Sequence, residues 1–284
     1  MNGLSLVECP RDAMQGWKNF IPTETKIAYL NHLLQVGFDV LDFGSFVSAK
    51  AIPQLADTKD VIPRLNVANT KTQLLAIIAN LRGAKDAVHY EQIRYLGFPF
   101  SISETFQLRN TNKTIAESLK EVEAIQNLCV KHNKKAVIYI SMGFGNPYGD
   151  EYSAELTIQW FERLQQLGID IISLADTVGL ADRNTIEYIF HKLIPEFPKV
   201  NIGAHFHSTP GTWEEKLVAA WHNGCTRFDS SIQGIGGCPM AEDELVGNLA
   251  TENIVQWADQ QNLPLQLDRK ELARAMVMAS EIFV

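Results

Sequence analysis

Two histidines separated by a single residue, His205 and His207, are the first candidates for chemistry in this sequence. Side chains alternate across a β-strand, so both imidazoles of such a pair point to the same side. If that side faces the interior of a barrel, the pair can ligate a divalent metal ion. A His-x-His pair alone is more often two ordinary hydrogen-bonded histidines. A metal site therefore requires further ligands, an acid or base and an anion-binding arginine from elsewhere in the chain.

The chain around the histidines alternates between strand-like and helix-like segments. Unbroken apolar runs at 74–79, 137–140 and 171–174 suit parallel strands that are covered on both faces. The predicted strands cover residues 4–9, 40–43, 73–80, 92–98, 136–142, 170–174, 201–207 and 226–230. Amphipathic patterns predict helices over residues 23–36, 114–131, 153–167, 182–193, 213–222, 251–260 and 268–283.

Eight strands, each followed by a helix or a loop, predict an α/β fold of the TIM (β/α)8 barrel type. We expect a single catalytic domain over residues 1–284, with a barrel core at about 4–260 and a C-terminal helical extension at 261–284. An open doubly wound sheet is the alternative. The G-x-G-x-x-G pattern of a dinucleotide-binding fold does not follow the first strand, which gives that alternative little support.

Active sites of such barrels lie at the C-terminal ends of the strands, and polar residues stand at several of these ends. They are Arg11, Asp12 and Gln15 after the first strand, Asp42 and Ser45 at the second, Asp176 and Thr177 at the sixth, the two histidines at the seventh, and Asp229 at the eighth, followed by Asn248. Singly, each has an ordinary explanation, such as a surface ion pair, a helix cap or a turn residue. Together they indicate a site, because burying each of them unpaired would cost about 1–3 kcal/mol.

Asp12, His205, His207 and Asn248 offer two nitrogen and two oxygen ligands and no thiolate. Such a set suits Mg²⁺ or Mn²⁺, with Zn²⁺ or Co²⁺ as alternatives. An open metal site can hold a hydroxyl and a carboxylate of one substrate and lower the pKa of the hydroxyl. Arg11 beside it can stabilise an enolate oxygen. A thiol in a glycine-rich loop after the eighth strand, Cys238, can approach and exchange a proton.

Charge and composition restrict the partners. The chain has 25 Lys and Arg against 33 Asp and Glu, a formal net charge of −8, which argues against nucleic acid as the main partner. No apolar run approaches membrane-spanning length, and the first residues carry neither a signal nor a transit pattern. The four cysteines show no close pairing and no metal-type spacing, so reduced thiols are expected. We therefore expect a cytoplasmic protein without a membrane partner.

Five motifs resemble those of the 3-hydroxy-3-methylglutaryl-CoA lyase family, which belongs to the DRE-TIM metallolyase superfamily. They are PRDAMQ at 10–15, SFVS at 45–48, AHFH at 204–207, GIGGCP at 234–239 and GNLATE at 247–252. The likeness runs in register from about residue 5 to about residue 255. The P-R-D and H-x-H motifs resemble related synthases and aldolases as well, whereas the glycine-rich loop with its cysteine points to the lyases.

The resemblance implies a metal-dependent retro-Claisen cleavage of 3-hydroxy-3-methylglutaryl-CoA to acetyl-CoA and acetoacetate, and hence an acyl-CoA substrate. A homodimer is a further expectation. In this resemblance Arg11 would polarise the thioester carbonyl, Asp176 and His205 would transfer protons, and Cys238 would act as a loop-borne acid or base. The implied catalytic residues are Arg11, Asp42, Asp176, His205 and Cys238, the metal ligands are Asp12, His205, His207 and Asn248, and the substrate-binding residues are Arg11, Gln15, Ser45, Asn110 and Thr177.

Five positions depart from the family pattern, among them Phe206, which replaces a smaller residue between the two histidines. Asp42 stands where glutamate is usual, and Ala13 and Ala175 stand where glycine is usual. Ser208 follows the second histidine where an aspartate is usual, and we expect this loss of a carboxylate behind His207 to weaken metal binding. The alternative function is therefore a same-fold lyase, aldolase or condensing enzyme for another 3-hydroxyacyl thioester or hydroxy acid. A catalytically weak barrel that binds a ligand is the third hypothesis.

Overall fold

A computed structural model of the chain describes residues 3–237 and 246–284. Its central element is a sheet of eight parallel strands. They are β1 (Ser5–Glu8), β2 (Val40–Ser45), β3 (Gln73–Ile77), β4 (Ile93–Ser101), β5 (Lys135–Ser141), β6 (Ile171–Asp176), β7 (Asn201–Ser208) and β8 (Arg227–Ser230). Each strand pairs with the next, and β8 pairs with β1, so the sheet closes on itself. The predicted TIM barrel is confirmed.

The apolar runs become barrel strands because both of their faces are buried. Along β5, Val137 and Tyr139 point into the barrel, where they pack with Leu75 of β3. Their neighbours Ile138 and Ile140 point outward and join the larger core beneath the helices. Alternation across each strand therefore separates a small core inside the barrel from a larger core around it.

Helices cover the outside of the barrel. They are α1 (Pro10–Gln15), α2 (Thr23–Val36), α3 (Thr58–Val61), α4 (Leu81–Ala87), α5 (Glu104–Thr111), α6 (Ile115–Lys131), α7 (Ala154–Gln166), α8 (Arg183–Glu196), α9 (Trp213–His222), α10 (Thr251–Gln260) and α11 (Arg269–Ile282). The longest helix, α6, shows why a helix starts where it does. The Thr114 side chain accepts a hydrogen bond from the Glu117 backbone N–H, and the Glu117 side chain accepts one from the Thr114 backbone N–H. This capping box satisfies two N–H groups at the start of α6.

Several boundaries differ from the predictions. β3 ends at Ile77 and not at residue 80, because the Asn80 side chain accepts a hydrogen bond from Gly83 N at 2.8 Å and caps α4. β4 continues to Ser101, where it still pairs with β5. No helix is predicted at α1, α3, α4 or α5, since elements of 4 to 8 residues are too short for a clear helical period.

A short strand and two α-helices follow β8 in the described part of the chain. A short strand, β9 (Gly247–Asn248), pairs antiparallel with β7 and places Asn248 directly opposite His207. The C-terminal helix α11 packs against α2, and the ring of Phe283 lies edge-on to Trp17 at 5.4 Å. Within the residues described, none of the helices has the length and apolarity needed to cross a membrane.

Candidate active site and metal centre

A cavity of about 330 Å³ opens at the C-terminal ends of the barrel strands. Its polar lining comes from several strands and from the helices that follow them. It includes Arg11, Asp12, Gln15, Asn110, Thr177 and both histidines of β7. Apolar residues also line it, among them Val47, Ile77, Ala79, Pro99 and Ala175. The cavity therefore offers both charged and apolar groups, as a site for an acyl group requires.

Strand β7 brings His205 and His207 into this cavity with their ring centroids 5.2 Å apart. Phe206 between them points to the other side, where its ring lies 5.5 Å from Phe144 and 6.3 Å from Phe190. The histidine pair thus faces the barrel interior, and the alternation of the strand accounts for it.

Each histidine is oriented from behind through its Nδ1 atom. His205 Nδ1 lies 3.1 Å from Oδ2 of Asp229 on β8, and His207 Nδ1 lies 2.8 Å from the backbone oxygen of Thr177. Both contacts leave the Nε2 atoms available to a ligand. The Nε2 of His207 is buried and has no hydrogen-bond partner among the described residues. Such hydrogen bonds to the far nitrogen are the usual support of metal-ligating histidines.

The two imidazoles have shifted pKa values of opposite sign. Burial lowers the pKa of His205, but the hydrogen bond and charge of Asp229, together with Asp12, outweigh burial and raise it. Burial and the neighbouring His205 lower the pKa of His207 to about 4. His207 is therefore neutral at physiological pH, which is the state that ligates a metal.

Asp12 meets the imidazoles from α1, which starts with Pro10 at the first helical position directly after β1. One ligand atom from each of Asp12, His205 and His207 lies within 4.8 Å of the other two. Burial raises the pKa of Asp12, but the charges of Arg11 and of both histidines outweigh it and lower the pKa. The carboxylate is thus ionised beside the unpaired nitrogen of His207.

Asn248 reaches the cluster from β9. Its amide Nδ2 donates to Asp12 Oδ2 at 2.8 Å and to the backbone oxygen of Ile235 at 3.0 Å. Gly236 lies against this amide with a φ of +105°, and a Cβ at that position would come within 2.6 Å of Asn248 Nδ2. A glycine is required there, because other residues would collide with the amide and rarely adopt that backbone angle.

The cluster fits a divalent metal ion. The buried, unpartnered Nε2 of His207 would otherwise cost about 1–3 kcal/mol, and a metal would satisfy it. Asp12, His205 and His207 together supply the carboxylate and imidazole atoms that such ions bind. Cys9 lies behind His205, but burial raises its pKa well above the ordinary value, so it remains a thiol and a poor ligand.

Arg11 is held at the edge of the cavity by three partners. Its guanidinium donates to Asp42 Oδ2 at 2.6 and 3.0 Å, to Asp12 Oδ1 at 2.7 Å and to Gln15 Oε1 at 3.0 Å. The shorter side chain of Asp42 therefore still reaches the arginine. Burial raises the pKa of Asp42 to about 6 against the opposing charge of Arg11, so the carboxyl is mainly ionised at neutral pH.

Four sequence candidates among the described residues lie outside the cavity lining: Asp42 and Asn248, which contact Arg11 and Asp12, and also Asp176 and Ser45. Asp176 stands opposite Phe206 in the register between β6 and β7, and so it points away from the histidines. Its two oxygens accept from Lys216 Nζ at 2.6 Å and from the Ala181 backbone N–H at 3.1 Å. Ser45 is buried, and its hydroxyl accepts from the Val47 backbone N–H at 3.1 Å. These contacts give Asp176 and Ser45 structural partners in place of a direct position in the cavity.

Some of the remaining candidates line the cavity, and others lie outside it. Gln15, Asn110 and Thr177 line the cavity as expected. Three cations are candidates for contacts with the phosphates of coenzyme A. Arg109 lines the cavity, with its guanidinium 4.7 Å from the Tyr148 ring, whereas Lys18 and Lys50 are exposed outside the lining. Cys238 lies outside the described residues. The other three cysteines are buried free thiols, as the sequence predicts.

Sequence reasoning gave two supporting residues no role in the site. Asp229 was noted at the end of the eighth strand, five residues before the glycine-rich loop at 234–239, but its position behind a histidine was not predicted. Lys216 lies on α9 and is buried at 4% exposure, which the charged pattern of that helix does not reveal. Both act behind the metal cluster and not within it, so a search for ligands alone passes over them.

A TIM barrel whose strand ends gather an acid, two imidazoles and an arginine defines a barrel enzyme with a candidate divalent-metal centre. The family model described as HMGL-like matches residues 6–278. The chain belongs to the HMGL-like family, and the prediction of a carbon–carbon lyase is confirmed.

Individual relatives agree with this assignment. A hydroxymethylglutaryl-CoA lyase of Bacillus subtilis is 35% identical over 94% of this chain and 88% of its own length. A 3-hydroxy-3-isohexenylglutaryl-CoA/hydroxy-methylglutaryl-CoA lyase of Pseudomonas aeruginosa is 31% identical over 87% of this chain and 81% of its own.

Solved structures give the same picture. The HMG-CoA lyase of Bacillus subtilis superposes with a TM-score of 0.92 at 33% identity, covering 99% of this chain and 94% of that one. An HMG-CoA lyase of Acinetobacter baumannii in complex with coenzyme A and 3-methylmalate superposes with a TM-score of 0.91 at 30% identity, covering 99% and 91%. The expectation of an acyl-CoA substrate class is supported by that complex.

Proposed function

We propose that this protein cleaves 3-hydroxy-3-methylglutaryl-CoA to acetyl-CoA and acetoacetate with the help of a divalent metal ion. The observation that carries the proposal is the convergence of Asp12, His205 and His207 beside Arg11 in one cavity. Membership of the HMGL-like family supports the reaction class, and the activities of the named relatives support the substrate. Mg²⁺ or Mn²⁺ is the proposed ion, because oxygen and imidazole ligands without thiolate favour it over Zn²⁺ or Co²⁺.

The reaction breaks the bond between C2 and C3 of the acyl group. The 3-hydroxyl gives up its proton as C3 becomes the ketone carbon of acetoacetate. The electron pair of the broken bond passes to the thioester as an enolate, which takes a proton and becomes the methyl group of acetyl-CoA. When bound, the metal ion lowers the pKa of the substrate hydroxyl.

The residues of the cavity have separate roles in this proposal. Arg11 holds the enolate oxygen, because a permanent cation stabilises negative charge that develops on it. Asp42 holds Arg11 in place through its two hydrogen bonds. His205 carries a proton, and its raised pKa between Asp229 and Asp12 supports that role. Cys238 is proposed as the second proton carrier.

Further contacts to the acyl group come from the polar lining. Gln15, Asn110 and Thr177 are the proposed substrate contacts, since they lie in the cavity. Asn248 is the proposed fourth ligand, and its contact with Asp12 supports its place there. We also expect a cytoplasmic homodimer without nucleic-acid or membrane partners, and the net charge of −8 supports solubility.

A longer 3-alkyl chain is a second candidate for the acyl group. The relative from Pseudomonas aeruginosa that is named for an isohexenylglutaryl thioester motivates it. The apolar lining of the cavity includes two alanines, Ala79 and Ala175, and we propose that their small side chains leave room for added methylenes. Each methylene buried there would contribute about 0.8 kcal/mol.

The test is to supply the purified protein with Mn²⁺ and a panel of 3-hydroxyacyl thioesters that differ only in the 3-alkyl group. Acetyl-CoA should appear with the methyl compound and fall at least about 100-fold in Arg11→Gln, which removes the cation. Lys50→Gln removes an exposed cation outside the lining and serves as the control. If the metal is bound and every thioester stays intact, the proposed function is wrong. Preference for a longer chain would favour the second candidate.

A further inference from the structure

Lys216 is the most completely bonded charged group near the candidate metal centre. Its side chain is buried, and its ammonium nitrogen lies 2.6 Å from Asp176 Oδ2, 2.9 Å from the backbone oxygen of His207 and 3.0 Å from that of Gly179. An ammonium group has three N–H donors, and here each has an acceptor. Lys216 therefore ties three points of the barrel rim together.

These three points surround one contact in the metal cluster. The ring of His207 is oriented by its hydrogen bond to the Thr177 backbone oxygen. Lys216 bonds to the carbonyl of His207 on one side of that contact. On the other side it bonds to Asp176, which precedes Thr177 in the chain, and to Gly179, which follows two residues later. Both ends of the hydrogen bond that aims the imidazole are thus fixed by one ammonium group.

We propose that Lys216 is a positioning residue that sets the metal affinity of the site by holding His207 against Thr177. It gives His207 a positioning group in a chain where Ser208, and not a carboxylate, follows this histidine. Asp176 acts with it as the counter-charge, which gives a role to an acid that lies outside the cavity. The proposal rests on the proposed metal site but not on the choice of substrate.

A second buried lysine provides a matched comparison. Lys26 on α2 lies 2.8 and 2.9 Å from the two oxygens of Asp57 and also donates to the backbone oxygen of Gln54. It is 2% exposed, but it is not among the groups that touch the cavity or the histidines. Neutralising either pair removes a buried ion pair, and only the pair with Lys216 borders the metal cluster.

The experiment measures Mn²⁺ binding to metal-stripped protein by the electron paramagnetic resonance signal of free Mn²⁺. The double variant Lys216→Met with Asp176→Asn avoids leaving one charge buried alone, which would be strongly destabilising. We expect its Mn²⁺ affinity to fall about 10–100-fold, the usual effect of losing a group that supports a metal ligand. The control pair Lys26→Met with Asp57→Asn should lose stability while keeping the wild-type affinity.

Nuclear magnetic resonance of ¹⁵N-labelled histidine supplies a second readout. The Nδ1–H tautomer of His207 should be the single form in wild-type protein and mixed in the Lys216 pair variant. A folded variant with wild-type affinity and an unchanged His207 signal would overturn the proposal. Failure of this variant to fold while the Lys26 pair variant folds would also overturn it, because Lys216 would then be required for folding.

The same titration separates this proposal from the proposed function. Wild-type protein that binds no Mn²⁺ would end both. Wild-type protein that binds Mn²⁺ but cleaves no thioester would end the proposed function and leave the role of Lys216 to be decided by the affinities. Lys216→Arg adds a third point, because it keeps the charge but changes the donor geometry, and we expect an intermediate loss of affinity.

Discussion

His205 and His207 leave the same strand toward the same cavity, but the groups behind their rings differ. Asp229 places a negative charge 3.1 Å from one Nδ1, whereas the carbonyl of Thr177 places only a dipole 2.8 Å from the other. Burial lowers the pKa of both rings, and only the carboxylate reverses that effect. One ring is therefore kept neutral for ligation, and the other can also carry a proton.

The difference between the two histidines also changes the effect on metal binding that is expected from Ser208. The missing carboxylate would have been the expected support of His207, yet the Nδ1 of this ring already has an acceptor in the Thr177 backbone. A backbone acceptor cannot be altered by substitution, but it moves with the strand that carries it. Support for His207 therefore depends on the geometry of the β6 and β7 ends, and support for His205 depends on a single side chain.

The largest effect is expected from removing either ring. His205→Ala and His207→Ala should each reduce metal affinity at least about 100-fold, more than the 10–100-fold typical of supporting residues. Metal analysis after dialysis measures this, with His191→Ala on the exposed side of α8 as the control. Retention of stoichiometric metal by one of the two variants would show that its ring is not a ligand.

Asp229→Asn tests the carboxylate behind His205 and should have the next largest effect. The amide keeps an acceptor near Nδ1 but loses the charge, so the pKa of His205 should fall and metal affinity should drop about 10–100-fold. Arg227 also pairs with Asp229, at 3.2 Å, so thermal unfolding must be measured alongside Mn²⁺ titration. An unchanged affinity would mean that the charge serves only the arginine and that the two histidines are equivalent.

The fold was predictable because its signals are local. Apolar runs such as 137–140 are typical of strands that are buried on both faces, and Gly37 and Gly224 mark the C-terminal ends of α2 and α9. The exceptions, such as the end of β3 at Ile77, depend on whether a polar residue continues a strand or caps the next helix. That choice is settled by the neighbouring elements.

The site was predictable only where a residue of suitable chemistry also stands at a strand position whose side chain points into the barrel. His205 and His207 are two positions apart on one strand, so the sequence alone places both side chains on the same face. The direction of Asp176 depends on its register against Phe206, which the stagger of the closed barrel sets. Lys216 sits on a helix outside the barrel, and a sequence pattern does not show that its long side chain returns to the strand ends. Placing either residue requires the packed structure.

Glu8, a buried acid, and His207 should change the stability of the protein in opposite directions as the pH rises. Burial raises the pKa of Glu8 to about 8, although Thr251 and the backbone of Ile232 donate to its oxygens. Because the unfolded value is 4.5, the folded carboxyl keeps its proton, and stability is lost as pH rises from 4.5 to 8. At 1.36 kcal/mol per pKa unit the loss is at most about 5 kcal/mol.

His207 should act in the opposite direction. Its folded pKa of about 4 lies below the ordinary 6.5, so its contribution is lost as pH falls from 6.5 toward 4. Glu8→Gln should therefore flatten the decline between pH 4.5 and 8 and leave the dependence below pH 4.5 unchanged. Urea denaturation of metal-free protein between pH 4 and 8 measures both slopes. Parallel curves for the variant and the wild type would mean that Glu8 does not set the upper slope.

Ser208→Ala should give the smallest effect of the series. If the Thr177 carbonyl orients His207, the hydroxyl contributes little, and Mn²⁺ affinity should stay within about threefold of the wild type, with stability changed by about 0.5 kcal/mol. Thr209→Ala, at an exposed position on the same turn, is the control. A tenfold loss confined to Ser208→Ala would show that this side chain supports His207 after all, and the two histidines would then both depend on side chains behind them.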